Sequence, residues 1–102
     1  MAIKKYVVDP NTNLVKAIHK VVVHRFRLGD VEDPEIYAAE PLYRWQQSDA
    51  GKFIMANSWV TPEYHRHLDQ AVYGYTYVIV AELEEKKLSE FYLRFGQPVN
   101  NQ

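Results

Sequence analysis

The chain has 102 residues, with 12 Lys and Arg against 13 Asp and Glu, for a formal net charge of −1. Charge this balanced argues against a general electrostatic hold on nucleic acid or an anionic membrane, while leaving room for a local patch. The absence of cysteine excludes a disulfide framework, thiolate chemistry and a zinc–thiolate site.

The length suits a single domain over residues 1–102, and an apolar fraction of 47% is ordinary for a globular chain. Eight Tyr are a high count, and Tyr favours half-wet surfaces because it carries an apolar body and a polar tip. No apolar run follows Met1 and none reaches membrane-spanning length, so a cytoplasmic protein is the natural expectation.

Ile3 to Val8 has strand composition. Asp9-Pro10-Asn11-Thr12-Asn13 is a dense turn signal, because Pro presets φ and Asn or Asp bonds locally to the backbone. A long extended pattern follows from Leu14 to Leu28, with room for a bulge. Residues 1–17 therefore read as a hairpin or arm feeding the main sheet. Over His19 to Leu28, alternation places Val22, His24, Phe26 and Leu28 on one face and Val21, Val23, Arg25 and Arg27 on the other.

Gly29-Asp30 ends that strand. Asp33 is placed to cap a helix and Pro34 suits its first position. Pro41 interrupts this helix or begins another. From Pro41 to about Asn57, Leu42, Trp45, Asp49, Phe53 and Ala56 recur at helical spacing. The alternative is two short helices, the second capped by Ser48. Residues 59–69 suit an edge strand or an ordered loop, and residues 97–102 a mobile polar tail.

The most apolar segment is the C-terminal third. It reads as a hairpin of strands 75–83 and 88–95 joined at Glu84-Glu85-Lys86-Lys87. One face would carry Val78, Val80, Phe91, Leu93 and Phe95 and pack on the helix. The other would present Tyr73, Tyr75, Tyr77, Ile79, Tyr92 and Arg94, a tyrosine-rich stripe. That stripe needs cover, either from loop 59–72 and the arm or from a second copy of the chain in a dimer. The expected class is α+β: an antiparallel sheet with one long helix or a helix pair on one face, with a ferredoxin-like variant preferred.

Chemistry is less legible. His65, His67 and Asp69 alternate on an extended segment and could present imidazole and carboxylate ligands to a metal. The plainer reading is a solvated loop. His24 on an apolar face reads as a core histidine. Arg25, Arg27 and Arg94, near aromatic residues, could meet single-stranded nucleic acid, against the plainer reading of cross-strand pairing with Glu82, Glu84 and Glu90. No G-x-S-x-G motif or Gly-rich phosphate loop occurs, and no cofactor is called for.

The strings Gly29-Asp30-Val31-Glu32-Asp33-Pro34, Glu40-Pro41-Leu42-Tyr43-Arg44-Trp45-Gln46-Gln47-Ser48-Asp49-Ala50-Gly51-Lys52, Tyr73-Gly74-Tyr75 and Phe91-Tyr92-Leu93-Arg94-Phe95-Gly96 resemble small uncharacterised proteins of tailed phages that infect marine cyanobacteria. The resemblance spans roughly residues 18–96. It implies a phage or marine metagenomic origin and action inside the host cell, and it carries no activity. The expected function is a non-enzymatic accessory or structural protein working through self-association or protein binding. The alternatives are a small metal-dependent or His-based enzyme, and a single-stranded nucleic-acid-binding module.

Overall fold

The computed structural model describes residues 3–29, 31–69 and 74–96, the side chain of Asp69 excepted. Two strands open the chain, β1 (Ile3–Val8) and β2 (Val15–Leu28), paired antiparallel from Ile3 opposite Lys20 to Val8 opposite Val15. Asp9 builds the turn between them. Its carboxylate accepts from the Asn11 N–H at 2.9 Å, its carbonyl accepts from the Asn13 N–H at 2.7 Å, and its own N–H donates to the Leu14 carbonyl at 2.8 Å. Asn13 takes φ 58°, a left-handed conformation that Asn tolerates better than most residues.

Two helices follow, α1 (Pro34–Gln47) and α2 (Asp49–Asn57). Pro34 starts α1, where its missing N–H costs no helical bond. Asp33 occupies the N-cap position, but it serves through its carbonyl, which accepts from Ile36 at 3.0 Å; its side chain makes no capping bond. Pro41 lies inside α1 without ending it. Ser48 is the corner between the helices. Its hydroxyl donates to the Trp45 carbonyl and accepts from the Gly51 N–H at 3.0 Å, so it closes α1 and caps α2 at once. Gly51 is required by that corner: a Cβ there would stand 1.8 Å from the Trp45 carbonyl oxygen.

The chain returns to the sheet as β3 (Glu63–Asp69) and β4 (Gly74–Glu84), then closes with α3 (Glu85–Phe95). The sheet order is β1-β2-β4-β3, antiparallel throughout. The α+β class and the antiparallel sheet expected from the sequence are present, as is the helix pair. A ferredoxin-like arrangement, which runs βαββαβ, is not confirmed, because here the order is ββααββα.

The second strand expected over 88–95 is instead α3, a correction with a clear cause. Leu88, Phe91, Tyr92 and Phe95 fall at i, i+3, i+4 and i+7, one face of a helix. Leu88 and Phe91 are buried in the core, and Tyr92 and Phe95 flank it. Leu93, assigned to the core by the hairpin reading, is 88% exposed. The last turn carries Arg94, favourable at a helix C-terminus, and Gly96 ends the helix at φ 77° with its N–H bonded to the Tyr92 carbonyl at 2.9 Å.

The faces of β4 are consequently reversed. Tyr77, Ile79, Ala81 and Leu83 are buried, and the last three join Val21 and Val23 against Trp45, Phe53, Ile54, Leu88 and Phe91. Val78 and Val80 lie on the side away from the helices. The alternation in β2 is also interrupted. Its register with β4 shifts between Val22 and His24, which makes Val23 the extra residue of a bulge. Val21, opposite Ala81, and His24, opposite Ile79, therefore share the helix side.

The sheet's edges differ in one respect. Beyond Val80, where β3 stops pairing with β4, Ser58 and Trp59 take over: the Glu82 N–H donates to Ser58 Oγ at 3.2 Å and its carbonyl accepts from the Trp59 N–H at 2.8 Å. Beyond Lys20, where β1 stops pairing with β2, no strand among the described residues replaces it. Among the described residues β2 from Val21 to Leu28 is paired with β4 alone.

Candidate binding cleft

A half-open cleft of about 780 Å³ lies beside that stretch of β2. One wall is the consecutive run Val23, His24, Arg25, Phe26 and Arg27 of β2. A strand lines a cleft with every successive residue when the cleft follows its edge, since one sheet face would supply only alternate positions. The opposite wall is the α1–α2 corner, with Pro41, Arg44, Trp45, Ser48 and Ala50, and one end is closed by Phe91 and Phe95 of α3 and by Gly96 just past it.

The bulge positions the floor. His24 stacks on Trp45 with ring centroids 5.7 Å apart and planes at 21°, and Phe26 stacks on Tyr77 at 5.1 Å and 2°. Burial holds the His24 pKa below its ordinary value, so the ring is neutral at neutral pH. Three arginines, Arg25, Arg27 and Arg44, line the cleft, and among the described residues no carboxylate residue does. Arg44 is also paired with Glu40 one helical turn earlier, an exposed contact on the rim. The result is an apolar, aromatic hollow with a cationic border, suited to an anionic group attached to an apolar body.

Among the described residues the cleft does not pair its one hydroxyl, Ser48, with its one imidazole, His24. The Ser48 hydroxyl is taken up by the helix corner, donating to the Trp45 carbonyl and accepting from the Gly51 N–H.

The sequence-predicted residues fall in several places. Arg25 and Arg27 both reach the cleft. Arg94 stands outside its lining, stacked over Phe53 at 5.3 Å and Phe95 at 5.0 Å and paired with Glu90 at 3.5 Å. The expected interface stripe is not one surface. Tyr77 is 0% exposed and Ile79 is buried. Tyr92 belongs to α3, Tyr75 is half-buried, and Tyr73 lies outside the described residues.

Tyr77 has a structural task. Its hydroxyl donates to Glu35 Oε2 at 3.1 Å, and Arg66 Nη1 donates to Glu35 Oε1 at 2.6 Å, which ties the start of α1 to β3 and β4. Burial, and then the hydrogen bond and negative charge of Glu35, raise the Tyr77 pKa.

His65 and His67 lie on β3 opposite Val78 and Thr76, on the sheet face away from the helices. His65 Nε2 is 3.7 Å from Glu63. Among the described residues no three His, Asp or Glu side chains are grouped to hold a metal ion, and the Asp69 side chain is not among those described. Sequence reasoning missed Arg44, Phe91 and Phe95 as neighbours of Arg25 and Arg27, because the cleft joins elements far apart in the chain.

No family model matches the chain, and comparison with curated proteins and with solved structures finds no match. Among the described residues no helix is long and apolar enough to cross a membrane.

Proposed function

We propose that this chain is a non-enzymatic binding module that works by taking hold of another protein in the cleft between β2, the α1–α2 corner and α3. The observation that carries the reading is the cleft itself: a concave, largely apolar site whose charged side chains, among the described residues, are cationic. A partner with carboxylates beside apolar side chains satisfies both features. The resemblance to small cyanophage proteins suits such an accessory role inside an infected cell.

The test is a displayed library of random peptides panned against the wild-type chain and against R27E/R44E, both exposed rim positions whose replacement leaves the core untouched. Enrichment of acidic, apolar peptides on the wild type and its loss on the variant is expected. The same enrichment on both, or none on either, would remove the cleft from consideration as the working surface.

A separate observation favours self-association as a second reading. The distal part of the β1–β2 hairpin exposes Tyr6, Val8, Leu14 and Val15 together, and Tyr6, Val8 and Val15 share one face by register. Light scattering after size exclusion distinguishes the two readings. A dimer of the wild type that becomes monomeric in Y6E/V15E supports self-association through the arm, and a concentration-independent monomer excludes it.

A further inference from the structure

We infer that the outer edge of β3 is the surface through which two copies of this chain pair. The two β3 strands run antiparallel about a two-fold axis at His65 and join two four-stranded sheets edge to edge. This interface is separate from the cleft, whose strand wall is β2, on the other side of β4.

β3 ends the order β1-β2-β4-β3, and among the described residues it pairs with β4 alone. No turn, loop or cap bond among the described residues reaches its backbone. Glu63 to Leu68 are exposed on both faces, with Tyr64 at 46% and Leu68 at 60% on the helix side, so the helices leave room there for a second strand. Connectivity keeps the rest of this chain from lining that edge. Residues 1 and 2 precede β1, the opposite edge of the sheet. Residue 30 follows Gly29, which lies beside Gly74, at the far end of β3 from Glu63. Residues 70–73 join Asp69 to Gly74, which already stand opposite one another, and four residues are too few to double back to Tyr64. Residues 97–102 begin beyond Gly96, which lines the cleft with β2. From β2 to a strand outside β3 is three strand spacings, about 14 Å, out of about 20 Å for six extended residues, which leaves about two residues to pair.

Side chains fix the register. A two-fold axis normal to the sheet sets residue i opposite j and j opposite i, and opposed residues share a face. About His65, Glu63 falls opposite His67 of the second copy and Tyr64 falls opposite Arg66, each pair made twice. Carboxylate meets imidazole on one face, and aromatic ring meets guanidinium on the other. Arg66 is already held in place, its Nη1 donating to Glu35 at 2.6 Å and its guanidinium lying 5.3 Å from the Tyr75 ring centre. Pairing about Arg66, the midpoint of the strand, would set Arg66 against Arg66 and Glu63 against Asp69, and like charges directly opposite are destabilising. Pairing about His67 would face Arg66 with Leu68 and leave Tyr64 beyond the paired strand. The other edge strand, β1, has only the cations Lys4 and Lys5 and no such self-complement.

The chain has no cysteine, so single cysteines report the register without background. Under mild oxidation His65→Cys, at the axis, should give a disulfide-linked dimer. His67→Cys should not, because its counterpart lies four residues away along the strand, about 13 Å. Light scattering after size exclusion then reads the assembly in the wild type, Y6E/V15E, H67E and E63K/H67E. The wild type and Y6E/V15E should be dimers. H67E sets two carboxylates opposite one another twice and should weaken dimerisation by about tenfold or more, and E63K/H67E should restore it by exchanging the charges. A concentration-independent monomer, or a dimer that H67E leaves unchanged, would overturn the interface. A dimer lost in Y6E/V15E and kept in H67E would assign the contact to the arm instead. Cross-linking of His67→Cys in place of His65→Cys, or no recovery in E63K/H67E, would overturn the register.

Discussion

Gly51→Ala is the most demanding single substitution that the fold defines. Gly51 sits in the first turn of α2, where the helix passes over the end of α1. An added Cβ would lie 1.8 Å from the Trp45 carbonyl oxygen, 2.7 Å from its carbonyl carbon and 3.0 Å from the Gln46 Cα, all backbone atoms. Reaching even 3.0 Å from the oxygen requires a separation of about 1.2 Å between two packed helices, and strain of that kind costs about 1–3 kcal/mol. The shift also stretches the Ser48 cap on the Gly51 N–H, now 3.0 Å, worth about 1 kcal/mol. Against this, Ala gains about 1 kcal/mol of helix propensity over Gly. The net expectation is a loss of about 1–3 kcal/mol, read by urea denaturation followed by far-UV circular dichroism. Because Trp45 and Ser48 line the cleft, the near-UV signal should change as well. A variant as stable as the wild type, or more stable by the propensity gain, would refute the close approach of the two helices.

Other consequences follow from the same structure. Phe91→Ala should cost about 3–5 kcal/mol, as a buried aromatic residue does, whereas Leu93→Ala, one of the most exposed side chains on α3, should change urea stability by less than about 0.5 kcal/mol; the reverse order would restore the hairpin. Tyr77→Phe deletes the hydroxyl bond to Glu35 and should lower stability by about 0.5–1.5 kcal/mol in the same assay. His24 has a pKa depressed by burial, so the unfolded chain takes up its proton first. Its contribution is full above the unfolded value of about 6.5 and is lost as pH falls towards the folded value. Denaturation midpoints should therefore drop more steeply on acidification in the wild type than in His24→Gln, and parallel curves would contradict this role.

The parts of the fold that were legible in the sequence are those set by local chemistry. The turn at Asp9 to Asn13, the first helical position at Pro34 and the cap at Ser48 each follow from what one side chain can bond to nearby. The density of apolar residues in α3 hides its helical period in the sequence. Phe91, Leu93 and Phe95 satisfy an alternating pattern, whereas Leu88, Phe91, Tyr92 and Phe95 satisfy a helical one. The segment Glu84-Glu85-Lys86-Lys87 also lacks any Gly, Asn, Asp or Pro to turn a hairpin, and its residues favour a helix. The bulge at Val23 had no local signal. It depends on the register with β4, more than fifty residues later in the chain, and it is what brings His24 to the side of Trp45. Arg25 and Arg27 were visible as a basic pair, but their setting was not, because Arg44 and the aromatic residues of α3 reach them only through the tertiary fold.

The most direct measurement is a backbone amide chemical-shift map of the chain titrated with an acidic, apolar peptide. The expected perturbations concentrate on Val23 to Arg27, Arg44 to Ala50 and Phe95 to Gly96, the three segments that line the cleft. Perturbations concentrated instead on β3 or on the β1–β2 arm, with the cleft unchanged, would contradict the assignment of this cleft as the surface through which the protein works.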